Sequence, residues 1–346
     1  MKKSFKINGR EVGAGFPAYI IAEVGSNHDT SLERAKGLAQ AAKDAGADAF
    51  KMQSFTAEGL LNPLKPDDGG AWGSHPAYPV LEKLALPIQW HYELMDYSKK
   101  IGITFLSAPF EAGRAELLEK IGVQAYKIAS GDITDEPLLR QIAGYSKPVL
   151  LSTGASYLEE VRRAFDILTE GGSAVALLHC AALYPPNYDE VNLRAMVTLA
   201  EEFGCPVGFS DHTPGSAVPV AAVALGASVI EKHITFDRTL PGPDHPYAME
   251  VDEFARMVAD IRNIESALGD GIKKPSLHEQ EMRVIARKSI YASRSIEKGT
   301  VITPAMVKVV RQMYGLAPAD LDAVIGMRAA REIKVNMPVR REDICG

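Results

Sequence analysis

Apolar and polar positions along this chain follow two alternating periods. Eight short apolar runs, YIIAEVG, DAFKMQS, ITFLSAP, AYKIAS, PVLLSTG, AVALLHC, PVGFSDH and SVIEKHI, each end in polar residues. Between them lie stretches with apolar residues at helical spacing. SLERAKGLAQAAKDAG is one, with Ser31 as its cap and Gly46 as its stop. Short apolar strands joined by helical crossovers predict a parallel sheet covered on both faces. Eight such units over roughly 250 residues predict an α/β fold, a (β/α)8 or TIM barrel. An open doubly wound sheet is the alternative, but no GxGxxG follows the first run.

Two stretches break the pattern. TAEGLLNPLKPDDGGAWGSHPAYP is rich in Pro and Gly and reads as a long loop over the rim. After a last helix, VDEFARMVADIRNIESALG, the polar DGIKKPSLHEQEM reads as a linker. The tail has short β-like runs, turns and a brief helix. The expected organisation is a barrel over 1–270, a linker over 271–283 and a small β-rich domain over 284–346. A tail of about 60 residues is marginal alone and is expected to lean on another surface.

The 346 residues are 46% hydrophobic, enough for a large core, and the net charge of −6 contains no basic block. Small-molecule partners are expected, and no nucleic acid. No run approaches the roughly 20 apolar residues of a membrane span, so no membrane association is expected. The N-terminal MKKSFKINGREVGAGFPAY lacks the apolar stretch of a signal peptide. Cys180, Cys205 and Cys345 show no pair spacing, as expected of a reduced, cytoplasmic protein.

If the strands are parallel, their polar ends share one rim, where barrels of this kind hold their chemistry. That rim collects Glu23, Lys51, Gln53, Lys127, Ser130, Ser152, His179, Ser210, Asp211, His212, Glu231 and His233. His212 and His233 end adjacent strands, so their imidazoles can meet one divalent ion, Mn²⁺ or Mg²⁺; the alternative is two hydrogen-bonded structural histidines. Lys51 and Lys127 are placed to bind an anion or form a Schiff base. Ser130, Ser152 and Ser210 can ring a phosphate with them, although each alone could be a turn or helix cap. Glu23 reads as a general base or as a loop ion pair. Asp211 and Glu231, beside the histidines, read as groups that fix imidazole orientation. Asp244, in PGPDHP, could contact metal-bound water or substrate hydroxyls.

IAEVGSNHDTS, KMQSFT, FLSAPF, AYKIASGDIT, LLHCAALYPP, GFSDHTPG and VIEKHITFDRTLPGPDH resemble the bacterial sialic acid (N-acetylneuraminate) synthase family, through nearly the whole chain. The tail resembles the SAF, or antifreeze-like, domain that closes those enzymes. The resemblance implies condensation of phosphoenolpyruvate with an N-acylated hexose. It implies that Lys51, Gln53, Lys127, Ser130, Ser152 and Ser210 bind phosphoenolpyruvate, and that His212 and His233 hold a metal, Mn²⁺ foremost with Mg²⁺ or Co²⁺ possible. It implies that Glu23 and Asp244 stand by the reacting carbons, Tyr184 by the sugar, and Arg311 at the N-acyl group from the partner of a domain-swapped homodimer. Ala182 departs from a polar residue usual there, and Arg311-Gln-Met-Tyr-Gly departs from the usual RPGNG or RPGYG.

N-acetylmannosamine is the expected sugar, giving N-acetylneuraminic acid. A diacetamido sugar, giving legionaminic acid, is the close alternative. A metal-independent Schiff-base aldolase using Lys127 and a non-enzymatic sugar-binding barrel are the rivals of other classes.

Overall fold

The computed structural model describes residues 3–67 and 70–346, and the chain divides into two compact units, Met1–Gly269 and Asp270–Gly346. In the first, eight parallel strands are joined by crossovers: β1 (Tyr19–Glu23), β2 (Ala49–Ser54), β3 (Thr104–Pro109), β4 (Tyr126–Ile128), β5 (Val149–Ser152), β6 (Val175–Cys180), β7 (Val207–Asp211) and β8 (Val229–Thr235). Their ladder runs β3-β2-β1-β8-β7-β6-β5-β4, and β3 lies beside β4 to close the barrel. The α/β barrel expected from the apolar runs is the fold. Eight helices cover it: α1 (Leu32–Asp44), α2 (Ile88–Ile101), α3 (Ala112–Ile121), α4 (Glu136–Gly144), α5 (Leu158–Glu170), α6 (Ala195–Phe203), α7 (Ala217–Ala224) and α8 (Val251–Leu268). Ser31 caps α1 by accepting the Arg34 N–H. No helix among the described residues is long and apolar enough to cross a membrane.

The two-residue period of a strand sorts side chains between the barrel interior and the helix layer. Ile21, Ala49, Leu106, Ala125, Leu150, Leu178 and Val229 form the interior core. Ile20, Phe50, Tyr126, Leu151, Leu177, Phe209 and Ile230 pack outward with the helices. Phe5, Ile7 and Val12 join the interior core from an antiparallel hairpin, Ser4–Ile7 with Arg10–Gly13, which the apolar pattern did not reveal. Two positions further on, Glu23, Lys51, Ala108, Lys127, Ser152, Cys180 and Glu231 point inward as well, and all but Ala108 are polar ends of the runs.

β7 approaches β8 closely at Gly208, where an added Cβ would stand 2.4 Å from the Val229 carbonyl oxygen. Beyond β8, the short strand Met249–Glu250 pairs with Ile234 and Thr235 and ties down the PGPDHP loop. The expected long loop is not featureless. It holds helix Ala57–Leu60, the hairpin Leu64–Pro66 with Trp72–Ser74, and helix Tyr78–Leu84, while residues 68–69 lie outside the described residues.

In the second unit, Lys288–Ala292 pairs antiparallel with Val307–Arg311, and Arg328–Ala329 with Ile344–Cys345. Ile290, Ile302, Val324, Ile333 and Val339 form its core. The stretch read as a linker contains a helix, Leu277–Ala286. Its polar start is a reciprocal capping box between Ser276 and Glu279, which favours helix over coil.

Candidate active site

One cavity of about 590 Å³ opens in the first unit, lined by Glu23, Lys51, Gln53, Lys127, Ser130, Ser152, Tyr184, Ser210, His212, His233 and Asp244 among others. The expected site residues of that unit lie on one cavity, Glu231 included, except His179 and Asp211. Arg311 belongs to the second unit, exposed at the end of the strand Val307–Arg311.

The floor is a buried network of charge. Lys51 Nζ lies 2.6 Å from Glu23 Oε2 and 3.8 Å from Glu231 Oε1. Lys127 Nζ lies 3.9 Å from Glu231 and donates to Ser152 Oγ (2.7 Å) and the Ile128 carbonyl (2.9 Å). Ser210 Oγ donates to Glu231 Oε1 at 3.0 Å, and Gln53 Nε2 to Glu23 Oε1 at 3.1 Å. Ser130 Oγ accepts the Gly154 N–H at 2.9 Å. Burial raises Glu23 to about 7, although Lys51 pulls it down. Burial also pushes Glu231 up, but Lys127 and Lys51 outweigh it and hold that carboxyl below its ordinary range. The two carboxyls thus differ in character: one is poised near neutrality and one is firmly ionised.

His212 and His233 stand above this floor with ring centroids 5.4 Å apart. His212 Nδ1 lies 3.2 Å from the Ala181 carbonyl oxygen and so carries the proton, leaving Nε2 as a lone-pair donor. His233 Nδ1 is buried with no hydrogen-bond partner among the described residues. Burial holds both rings below their ordinary values, His233 at about 3, so both imidazoles are neutral at physiological pH. Two neutral imidazoles fit a divalent cation that keeps open positions. Among the described residues no group of three or more His, Cys, Asp and Glu forms a fuller cage. Asp244 sits against this pair, its carboxylate accepting the Ser26 N–H (2.7 Å) and the Tyr247 hydroxyl (2.7 Å). Tyr184 packs on His212 with ring centroids 4.2 Å apart.

Neither Asp211 nor Glu231 hydrogen-bonds an imidazole, so the direct orienting contact expected of them is absent. Glu231 faces the two lysines instead. Asp211 points to the opposite side of β7, where it accepts the Thr213 N–H (2.8 Å) and meets Lys232. His179 also leaves the site, bonding the Val191 carbonyl. Sequence reading passed over Tyr247, whose signal was its place three residues after Asp244 in a Pro-rich turn. Cys180, whose adjacency to His179 in one strand points the two to opposite faces and makes them poor nucleophile partners, lines the cavity with its thiol 3.8 Å from His212 Nδ1.

Residues 38–273 match the NeuB family, and residues 287–344 match the SAF domain. The chain is 40% identical over 354 residues to the N,N'-diacetyllegionaminic acid synthase of Legionella pneumophila, covering 99% of each chain. It is also 40% identical to the pseudaminic acid synthase of Campylobacter jejuni, over 94% of this chain and 96% of that one. The crystal structure of N-acetylneuraminic acid (sialic acid) synthetase from Leptospira borgpetersenii superposes with a TM-score of 0.75 at 34% identity, covering 82% of this chain and 95% of that one.

Proposed function

The chain belongs to the NeuB family, and from that premise we propose that it condenses phosphoenolpyruvate with an N-acylated hexose and water to give a nonulosonic acid and phosphate. N-acetylmannosamine as the sugar, with N-acetylneuraminic acid as product, is the reading carried from the sequence motifs. The Legionella relative supports a second, a diacetamido hexose giving legionaminic acid. One observation carries the proposal: a lysine–serine–carboxylate floor faces an open pair of neutral histidines in a single cavity.

Lys51, Lys127, Ser152 and Ser210 supply the cationic and hydroxyl groups that hold the phosphate and carboxylate of phosphoenolpyruvate. Its methylene carbon forms a bond to the aldehyde carbon of the open-chain sugar. A water oxygen adds at the carbon bearing phosphate, and Glu23 accepts its proton. The bond from that carbon to the bridging oxygen then breaks and phosphate leaves with the electron pair, while the added hydroxyl gives up its proton to become the ketone and the former aldehyde oxygen takes up a proton to become a hydroxyl. His212 and His233 would hold the divalent cation, Mn²⁺ foremost and Mg²⁺ or Co²⁺ next, which when bound polarises the aldehyde oxygen as a Lewis acid. Tyr184 and Asp244 line the sugar side, and Ala182 offers phosphoenolpyruvate no side-chain hydrogen bond.

Burial lowers Lys127 from its ordinary value, a property shared with Schiff-base lysines. It nevertheless donates to Ser152 Oγ and the Ile128 carbonyl and lies 3.9 Å from the Glu231 carboxylate, an environment that suits an ammonium group and favours anion binding. A cytoplasmic setting follows from the use of an intracellular phosphate ester. A domain-swapped homodimer would bring Arg311 to the sugar of the partner's site.

The test is phosphate release from phosphoenolpyruvate with Mn²⁺ across a panel of N-acylated mannose-like sugars, the product identified by mass. Metal-dependent release with one sugar, abolished by EDTA and by His212→Ala, is expected. Full activity in EDTA with borohydride trapping of Lys127 would establish the aldolase instead. Sugar binding without phosphate release would establish a binding protein.

A further inference from the structure

Asp211 and Lys232 are paired in register across β7 and β8, one residue before His212 and His233. Their side chains point away from the cavity, into the layer between sheet and helices. The neighbouring outward positions there, Val207, Phe209, Ile230 and Ile234, are apolar. Within that layer Lys232 Nζ and Asp211 Oδ2 form an ion pair at 2.5 Å, with side chains 1% and 0% exposed. Both partners also grip the backbone just past His212: Asp211 Oδ1 accepts the Thr213 N–H at 2.8 Å, and Lys232 donates to the Thr213 carbonyl. The segment 211–213 is therefore held at both of its polar ends by groups flanking the two histidines. Any slip of β7 against β8 at this level, or any rotation of the 212–213 peptide, would have to break a buried charged contact.

We propose that Asp211 and Lys232 are positioning residues: their buried pair fixes the separation of His212 and His233 from behind, so that the two imidazoles are preset for one cation. This rests on the reading of those histidines as metal ligands. A charged pair is a poor choice for stability alone, because a well-packed apolar pair of similar volume usually serves a buried site as well or better. Groups that orient metal ligands, by contrast, commonly change metal affinity about 10- to 100-fold when altered.

The two roles separate in the double variant Asp211→Leu/Lys232→Met, which replaces the pair by apolar side chains. The protein is stripped with EDTA, and Mn²⁺ binding is measured by calorimetry alongside the thermal midpoint of the metal-free form. Expected is a folded protein whose metal-free midpoint matches the parent, with Mn²⁺ affinity weakened about 10-fold or more and KM for phosphoenolpyruvate unmoved. Asp211→Asn keeps an acceptor for the Thr213 N–H while loosening the grip on Lys232. It is expected to weaken Mn²⁺ binding about three-fold or more, and it decides the matter if the double variant does not fold. Unchanged Mn²⁺ affinity in the folded variant, with the parent binding Mn²⁺ and His212→Ala not binding it, would overturn the positioning role alone. Absence of Mn²⁺ binding by the parent would overturn the metal reading itself and this inference with it.

Discussion

Gly25 sits where the site leaves no room for a side chain. Its φ is +52°, and an added Cβ would stand 2.4 Å from Asp244 Oδ2 and 3.0 Å from His233 Cε1. Asp244 is held by Ser26 and Tyr247, and the His233 ring is buried against Tyr247, so neither yields cheaply. Gly25→Ala is expected to leave the far-ultraviolet circular dichroism intact and to lower kcat/KM for phosphate release by about 10²-fold, since displacements of an ångström carry such costs. Parent-like kinetics in a folded variant would show that the Asp244–His233 arrangement tolerates displacement. At this scale the sequence was informative wherever strand alternation decided direction. Lys51, Lys127 and Ser152 each lie two positions beyond an inward apolar residue, Ala49, Ala125 and Leu150, and so face the cavity. It was uninformative about partners. Glu231 and Lys232 look alike as polar rim residues in VIEKH, yet one faces two lysines and the other a buried aspartate. Alternation sends the two to opposite faces, but which partner each meets is set by the neighbouring strands.

Among the elements, β2, β3 and α2 meet at a buried polar chain that the apolar runs do not announce. His91 of α2 lies 2.7 Å from Ser54 Oγ and 3.1 Å from the Pro87 carbonyl, and Ser54 lies 2.6 Å from Ser107 of β3. Burial lowers His91 from 6.5 to about 4. Above pH 6.5 the ring is neutral whether folded or unfolded, and its contribution is fully present. Between pH 6.5 and about 4 the unfolded chain takes a proton that the folded chain refuses, so stability falls with pH. Below about 4 both forms are charged and the loss stops. The whole effect is about 3 kcal/mol. His91→Gln should flatten the acid side of the pH–stability curve by this share, read as the urea midpoint at pH 7 against pH 4.5. An unaltered slope would mean that His91 titrates normally in the folded protein. Element legibility followed the same division. Regular strand–helix units were plain, because both periods are enforced by burial. The hairpin Leu64–Pro66 with Trp72–Ser74 and the helix Leu277–Ala286 were not, because all three are largely exposed and rest on local turns and caps.

At the scale of the whole molecule, the proposed domain-swapped homodimer predicts which chain completes each site. The second unit exposes large apolar side chains, among them Leu277 at 83% and Tyr314 at 52%. It also carries Arg311, exposed. If Arg311 serves the partner's cavity, two inactive chains can repair each other. His212→Ala spoils a barrel but keeps the arginine, and Arg311→Ala does the reverse. A swapped heterodimer of the two has one site with an intact barrel and an intact arginine, and one site with neither. Random pairing from equal coexpression makes half the dimers mixed, so about a quarter of parental activity returns. Were Arg311 to act on its own chain, every site in the mixture would lack one of the two groups and nothing would return. Coexpression with distinct affinity tags, tandem purification of the mixed dimer and a phosphate-release assay distinguish the cases. The purified heterodimer should show about half of parental activity per dimer if the arginine crosses over, and only the residual activity of the single variants if it does not.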